Sequence, residues 1–181
     1  VIIAGWSFDG RAGIDLNGDS NVLIISYYDP YELSSWFNAH FADYVKTPFS
    51  VLAFSLGALW LSHNSTFFMS ALKRVFVGIR MHYGIHVISP IINALQENYL
   101  NCVKLFQRQC LSTFMRNQNI QLCDLSLLNP FVLDRGLMYL KEKSFNVDGI
   151  QPKDVIIHGM LDKIAPLKEL DFIDQNQIIL Q

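Results

Sequence analysis

Apolar positions in this chain follow two rhythms. Short continuous apolar runs at residues 1–4, 21–28, 49–54, 74–78, 154–158 and 177–180 read as strands, most of them buried on both faces. Between them, apolar residues recur every three or four positions. Leu33, Trp36, Phe37, His40, Phe41 and Tyr44 predict an amphipathic helix over 33–45, ended by Thr47-Pro48. A second helix is expected from Leu56 to about Ser62, with His63-Asn64-Ser65 closing it. Residues from about 83 to 140 read as mostly helical, the better stretches being 91–110, 111–121 and 131–141. Asp9-Gly10 and Asn17-Gly18-Asp19 mark residues 8–20 as loop. Strands alternating with helices predict an α/β domain whose parallel sheet is covered on both faces. The helical block, about 80–145, falls before the penultimate strand, where a cap or lid would be inserted into a single domain spanning 1–181.

Composition narrows this further. With 51% hydrophobic and 13% aromatic residues in 181, the chain can bury a substantial core, which excludes a disordered tract. No apolar run is long enough to cross a membrane, and no signal peptide is visible. Cys102, Cys110 and Cys123 are odd in number and lack metal-type spacing. They fit free thiols in a cytoplasmic protein, and no metal or other cofactor is expected. A net charge of −2 and the absence of a binding motif argue against nucleic acid as a partner. The sequence starts inside one apolar run, without Met, and stops inside another, so a chain trimmed at both ends is expected.

One polar residue interrupts this pattern at a critical place. Val51-Leu52-Ala53-Phe54 is a buried-strand run and Leu56-Gly57-Ala58-Leu59-Trp60-Leu61 a buried helix, with Ser55 between them. A sharp strand-to-helix turn that lifts a serine oxygen clear of a sheet needs small residues two positions either side, as in G-x-S-x-G. Ala53 and Gly57 occupy those positions. The bland alternative makes Ser55 an ordinary helix N-cap.

Four stretches, in order, carry a resemblance to a known family: Ile3-Ala4-Gly5-Trp6, Leu23-Ile24-Ile25-Ser26-Tyr27-Tyr28-Asp29, Leu52-Ala53-Phe54-Ser55-Leu56-Gly57-Ala58-Leu59-Trp60, and Asp162-Lys163-Ile164-Ala165-Pro166. The chain resembles the α/β-hydrolases, and more narrowly the BioG-type pimeloyl-[acyl-carrier protein] methyl ester esterases of biotin synthesis. Tyr83-Gly84-Ile85 and Phe106-Gln107-Arg108-Gln109-Cys110 are weaker echoes. The resemblance implies an α/β-hydrolase fold and a cytoplasmic serine esterase. Ser55 would be the nucleophile, Asp162 the triad acid, and the backbone N–H groups of Trp6 and Leu56 the oxyanion hole. Trp6 otherwise covers the sheet edge, and Asp162 otherwise caps a helix near Pro166.

The triad order Ser, Asp, His calls for a histidine after Asp162, and the sequence has none there. The expectation is that it follows Gln181 in a longer protein. His158, at a strand end, fits a structural residue; His82 and His86 are weak candidates for reaching the site, and His40 and His63 look superficial.

Between Lys73 and Arg116, six basic residues face one acid, Glu97. Such charge on a cap suits an acidic partner, the acyl-carrier protein, with Arg74, Arg80, Arg108 and Arg116 as candidate contacts. Phe76, Ile88, Ile91, Ile92 and Phe106 are candidates to line an acyl channel, the alternative for most of them being a place in the core. Two rival readings are a carboxylesterase or thioesterase for small acyl groups and a catalytically inactive fold that binds a partner.

Overall fold

The computed structural model describes residues 1–9, 21–44, 48–110, 123–160, 162, 164–166, 170, 173 and 178–180. Six strands form one sheet: β1 (Ile2–Ile3), β2 (Ile24–Ile25), β3 (Ser50–Phe54), β4 (Lys73–Val77), β5 (Val155–His158) and β6 (Ile178–Leu180). Their spatial order is β2-β1-β3-β4-β5-β6, and every adjacent pair is parallel. The chain steps from β1 outward to β2, then returns past β1 to lay down β3. The order therefore changes direction between β1 and β3, and open parallel sheets form their ligand crevice at the carboxyl ends of such strands.

Helix α1 (Leu33–Tyr44) begins where Asp29 accepts a hydrogen bond from Tyr31 N at 2.9 Å. It buries Leu33 and Phe37, while His40 stays exposed. Helix α2 (Leu56–His63) is enclosed almost all round, from Leu56 to Ser62. Phe37 stacks on Trp60 at 5.1 Å, and Phe41, Phe67 and Phe68 complete an aromatic cluster. Fully burying a ring such as Phe37 or Phe68 stabilises the fold by about 1.5–3 kcal/mol, so α2 is firmly anchored.

Helices α3 (Ile85–Cys110) and α4 (Pro130–Glu142) fall between β4 and β5 in chain order. The helical spacing places α3 from 91, but it starts at Ile85 and breaks at Asn98, whose backbone is extended. The Asn98 side chain accepts from Asn101 N at 3.0 Å and so caps the second half. Helix α4 opens with Asn129 as cap and Pro130 in its first turn, where proline loses no hydrogen bond. The expected helix over 111–121 lies outside the described residues.

Strand phase decides one charge. In β4, Arg74 and Phe76 point to the buried face while Lys73 is exposed. Arg74 is 0% exposed, donates from Nε to Asp154 Oδ1 at 2.8 Å, and pairs through Nη2 with Asp154 Oδ2. Nη2 also donates to Gly149 O at 3.0 Å. This corrects the expectation that Arg74 offers charge to a carrier protein, since it is a core ion-pair residue near the start of its strand. Phe76 is likewise core, packed edge-on against Phe145, and is not a channel residue.

Candidate active site

Ser55 is the hinge between β3 and α2. Its N–H donates to Val77 O at 2.9 Å and prolongs the sheet ladder, while its C=O accepts from Leu59 N at 3.0 Å and starts the helix. Serving both elements in one residue forces φ to 53° and ψ to −117°, a conformation that costs a non-glycine residue about 1–3 kcal/mol. The hydroxyl makes no cap hydrogen bond to the helix it precedes. An ordinary N-cap is thereby excluded, and the strained turn holds the hydroxyl for something else.

The neighbours explain the small residues. A Cβ on Gly57 would lie 2.3 Å from Ile3 O and 2.8 Å from Ala4 O, so only glycine lets α2 sit on the end of β1. A Cβ on Gly5 would meet Phe54 at 2.7 Å and the Ser55 Cβ at 3.1 Å. Ala53 is fully buried. The loop after β1 and the elbow after β3 are therefore in direct contact. The backbone N–H groups of Trp6 and Leu56, both beside Ser55, have no hydrogen-bond partner among the described residues.

Helix α4 roofs this corner. The Trp6 indole, 3% exposed, donates from Nε1 to Leu133 O at 2.7 Å and packs edge-on against Phe106 at 4.9 Å. Gly136 lets α4 approach so closely that a Cβ there would sit 2.7 Å from the Trp6 ring. Arg135 Nε donates to Asp29 Oδ2 at 2.9 Å, and Tyr31 donates to Glu142 at 2.6 Å. These bonds fix α4 against the loops that follow β1 and β2.

Asp162 lies on the loop after β5. Its Oδ1 accepts from Ile164 N at 2.8 Å and Ala165 N at 2.9 Å, and its Oδ2 faces Gly78 at the end of β4. His158, wholly buried, hydrogen-bonds through Nε2 to Ala165 O at 2.5 Å and so ties this loop to the sheet. The other histidines are engaged elsewhere. His40 lies beside Trp36, His63 hydrogen-bonds to Ser144 O, His82 bridges to Ser144, and His86 rests against Gly84.

A cavity of about 360 Å³ opens on Ser55. Val87, Ile88, Ile91, Phe106, Leu137 and Leu140 make it apolar, and Trp6, Arg80, Tyr83, Gln109, Ile164 and Pro166 complete it. Ile88, Ile91 and Phe106 line the cavity, while Ile92 and Phe76 do not. Arg80 reaches inward, donating to Ile164 O at 3.2 Å with its guanidinium 5.4 Å from the Tyr83 ring centre. Arg108 is exposed on α3, and Arg116 lies outside the described residues. No group of three or more His, Cys, Asp or Glu able to hold a metal occurs among the described residues. No helix among them is long and apolar enough to cross a membrane. The three cysteines are free thiols.

Tyr83 is the site residue that pattern reading passes over. It is buried and shares the wall of this cavity with Ser55. Burial pushes its pKa up to about 12, while Ser55 and the Arg80 charge pull the other way. Its only sequence signal was the faint Tyr83-Gly84-Ile85 echo, which carries no chemistry by itself.

No family model matches the sequence, and no curated protein matches it. Solved structures do. An esterase (EaEST) from Exiguobacterium antarcticum matches with a TM-score of 0.67 at 13% identity, over 99% of this chain and 81% of that one. A hydrolase, olei00960, from Oleispira antarctica gives 0.65 at 10% identity, over 99% and 80%. MGS-M2, an α/β hydrolase enzyme from a Medee basin deep-sea metagenome library, gives 0.59 at 12%, over 88% and 66%. At such identities the likeness establishes the fold alone: a mostly parallel α/β-hydrolase sheet with flanking helices.

Proposed function

We propose that this protein is a serine esterase built on the α/β-hydrolase fold. The observation that carries the reading is the strained Ser55, which makes no cap hydrogen bond and faces an apolar cavity near two backbone N–H groups without a partner among the described residues. In this reading Ser55 Oγ attacks the ester carbonyl carbon. The carbonyl oxygen takes the electron pair and turns toward the N–H groups of Leu56 and Trp6, worth about 3–4 kcal/mol per donor in such sites. Collapse of that adduct expels the alcohol and leaves an acyl-enzyme, which water then hydrolyses. Asp162 would be the acid that orients an imidazole base; no described histidine supplies that base, so imidazole added in solution would take the Ser55 proton and return it to the departing alcohol.

The finer reading is hydrolysis of the methyl ester of pimeloyl-acyl-carrier protein. It rests on the four stretches of family resemblance, an apolar cavity within the usual 300–1,000 Å³ range of ligand sites, and exposed Lys104 and Arg108 on α3. With Arg74 removed from the surface count, Arg108 is the described arginine left for an acidic carrier face. Arg80 belongs to the cavity.

The test is labelling by a fluorophosphonate probe with and without added imidazole. All five histidines sit elsewhere, so external imidazole should accelerate labelling by at least tenfold, and Ser55→Ala should abolish it. Absence of labelling under both conditions would favour the rival reading of a fold that only binds a partner. Salt-sensitive turnover of the carrier-linked ester, against salt-insensitive turnover of a free methyl ester, would separate the carrier-protein reading from a small-acyl esterase.

A further inference from the structure

The strands flanking Ser55 bring different groups to it. On the β1 side stand the N–H groups of Trp6 and Leu56, without a partner among the described residues; beyond the end of β4, in the same cavity wall as Ser55, stands Tyr83. An ester carbonyl held on Ser55 with its oxygen toward the β1 side turns its other oxygen toward β4. We propose that Tyr83 is a catalytic residue that donates a hydrogen bond from its phenol to the leaving-group oxygen as the acyl bond to Ser55 forms. The inference rests on the reading of Ser55 as nucleophile and goes beyond it by assigning the leaving-group side of the cavity.

Placement supports the role. Tyr83 is 5% exposed and forms part of the cavity wall with Ser55. Its segment is pinned rather than loose: His82 pairs with Ser144 in an antiparallel bridge, and Phe145 N donates to Met81 O at 2.7 Å. The Arg80 guanidinium over the ring face favours charge flowing onto the phenol oxygen. The raised pKa keeps the phenol protonated at working pH, so it acts as a donor and not as the base for Ser55. The proton balance is simple. A bond forms between Ser55 Oγ and the carbonyl carbon, and the carbon–alkoxide bond breaks. The imidazole base carries the Ser55 proton to the alkoxide, and Tyr83 keeps its own.

A hydrogen bond to the departing oxygen matters in proportion to the charge that oxygen carries. Methoxide needs it far more than p-nitrophenoxide. The experiment compares the full chain with Tyr83→Phe, imidazole present, on methyl and p-nitrophenyl esters of the same acid, with thermal melting to check folding. The expected result is a kcat loss of roughly 10- to 100-fold on the methyl ester, at least tenfold greater than the loss on the aryl ester, with KM little moved. Equal losses on both esters would overturn the proposal and make Tyr83 a support for Ser55. No loss on either would make it a wall residue. Turnover surviving Ser55→Ala would overturn the nucleophile reading itself, a failure recognisable without the Tyr83 comparison.

Discussion

Gly57→Ala tests the physical basis of the elbow. In an unconstrained helix the change would stabilise by about 0.5–1 kcal/mol, because alanine loses less backbone freedom than glycine. Here the new methyl would lie 2.3 Å from Ile3 O, 2.8 Å from Ala4 O and 2.9 Å from Ile3 C. All three are backbone atoms of β1, which cannot rotate aside as a side chain would. Relief requires α2 to lift from the end of β1 by about 1 Å, against the packing that encloses the helix. Overpacking of this kind costs about 1–3 kcal/mol and occasionally more; less what alanine gains in a helix, the net change should be about 1 kcal/mol destabilising. At 181 residues that lowers Tm by roughly 2–4 °C. Lifting α2 also separates the Leu56 and Trp6 N–H groups, and a 1 Å misplacement can cost about a hundredfold in rate. Fluorophosphonate labelling should fall accordingly. Gly159→Ala is the control, because its Cβ would meet Asp162 Cβ at an ordinary 3.6 Å. If Gly57→Ala melts no lower than Gly159→Ala, the close approach of α2 to β1 is wrong.

Two further perturbations address stability away from the elbow. Arg74→Met strands the Asp154 carboxylate in a place without solvent and should cost about 3–5 kcal/mol in a urea titration, while adding Asp154→Leu should recover most of it. A single variant as stable as the parent would refute the core ion pair. Tyr27, Tyr83 and Tyr139 each have their pKa raised to about 12, with burial the largest cause, and Tyr28 is raised well above its ordinary 10. Unfolded tyrosines release protons near 10, so between about pH 10 and 12 the folded chain binds more protons than the unfolded one. Stability is therefore fully present below pH 10 and should fall as pH rises through that window. Denaturant midpoints would check it, and a midpoint unchanged between pH 10 and 12 would refute the desolvation of these phenols.

What could be read from the sequence was local in origin. The elbow is legible because strand run, serine and close-packing glycine fall within seven residues, and because a polar residue between two buried elements demands a cause. The parallel sheet is legible from its apolar runs. Arg74 was misread because counting charge treats every basic residue alike, whereas strand phase sends Arg74 inward with Phe76 and leaves Lys73 outside. Its partner Asp154 lies eighty residues away, across one strand spacing, and nothing near Arg74 announces it. The break at Asn98 was hidden for another reason: helical periodicity continues through it, and only a side-chain cap marks the join. Tyr83 combines both difficulties. What holds it in the same cavity wall as Ser55 is the bridge between His82 and Ser144, a long-range contact. A nucleophile announces itself through the sharp turn it needs, but a donor that meets it from across the cavity needs only distance. The place of Tyr83 in the cavity wall is therefore written in the packing of residues 81–83 on 144–145 rather than in any motif.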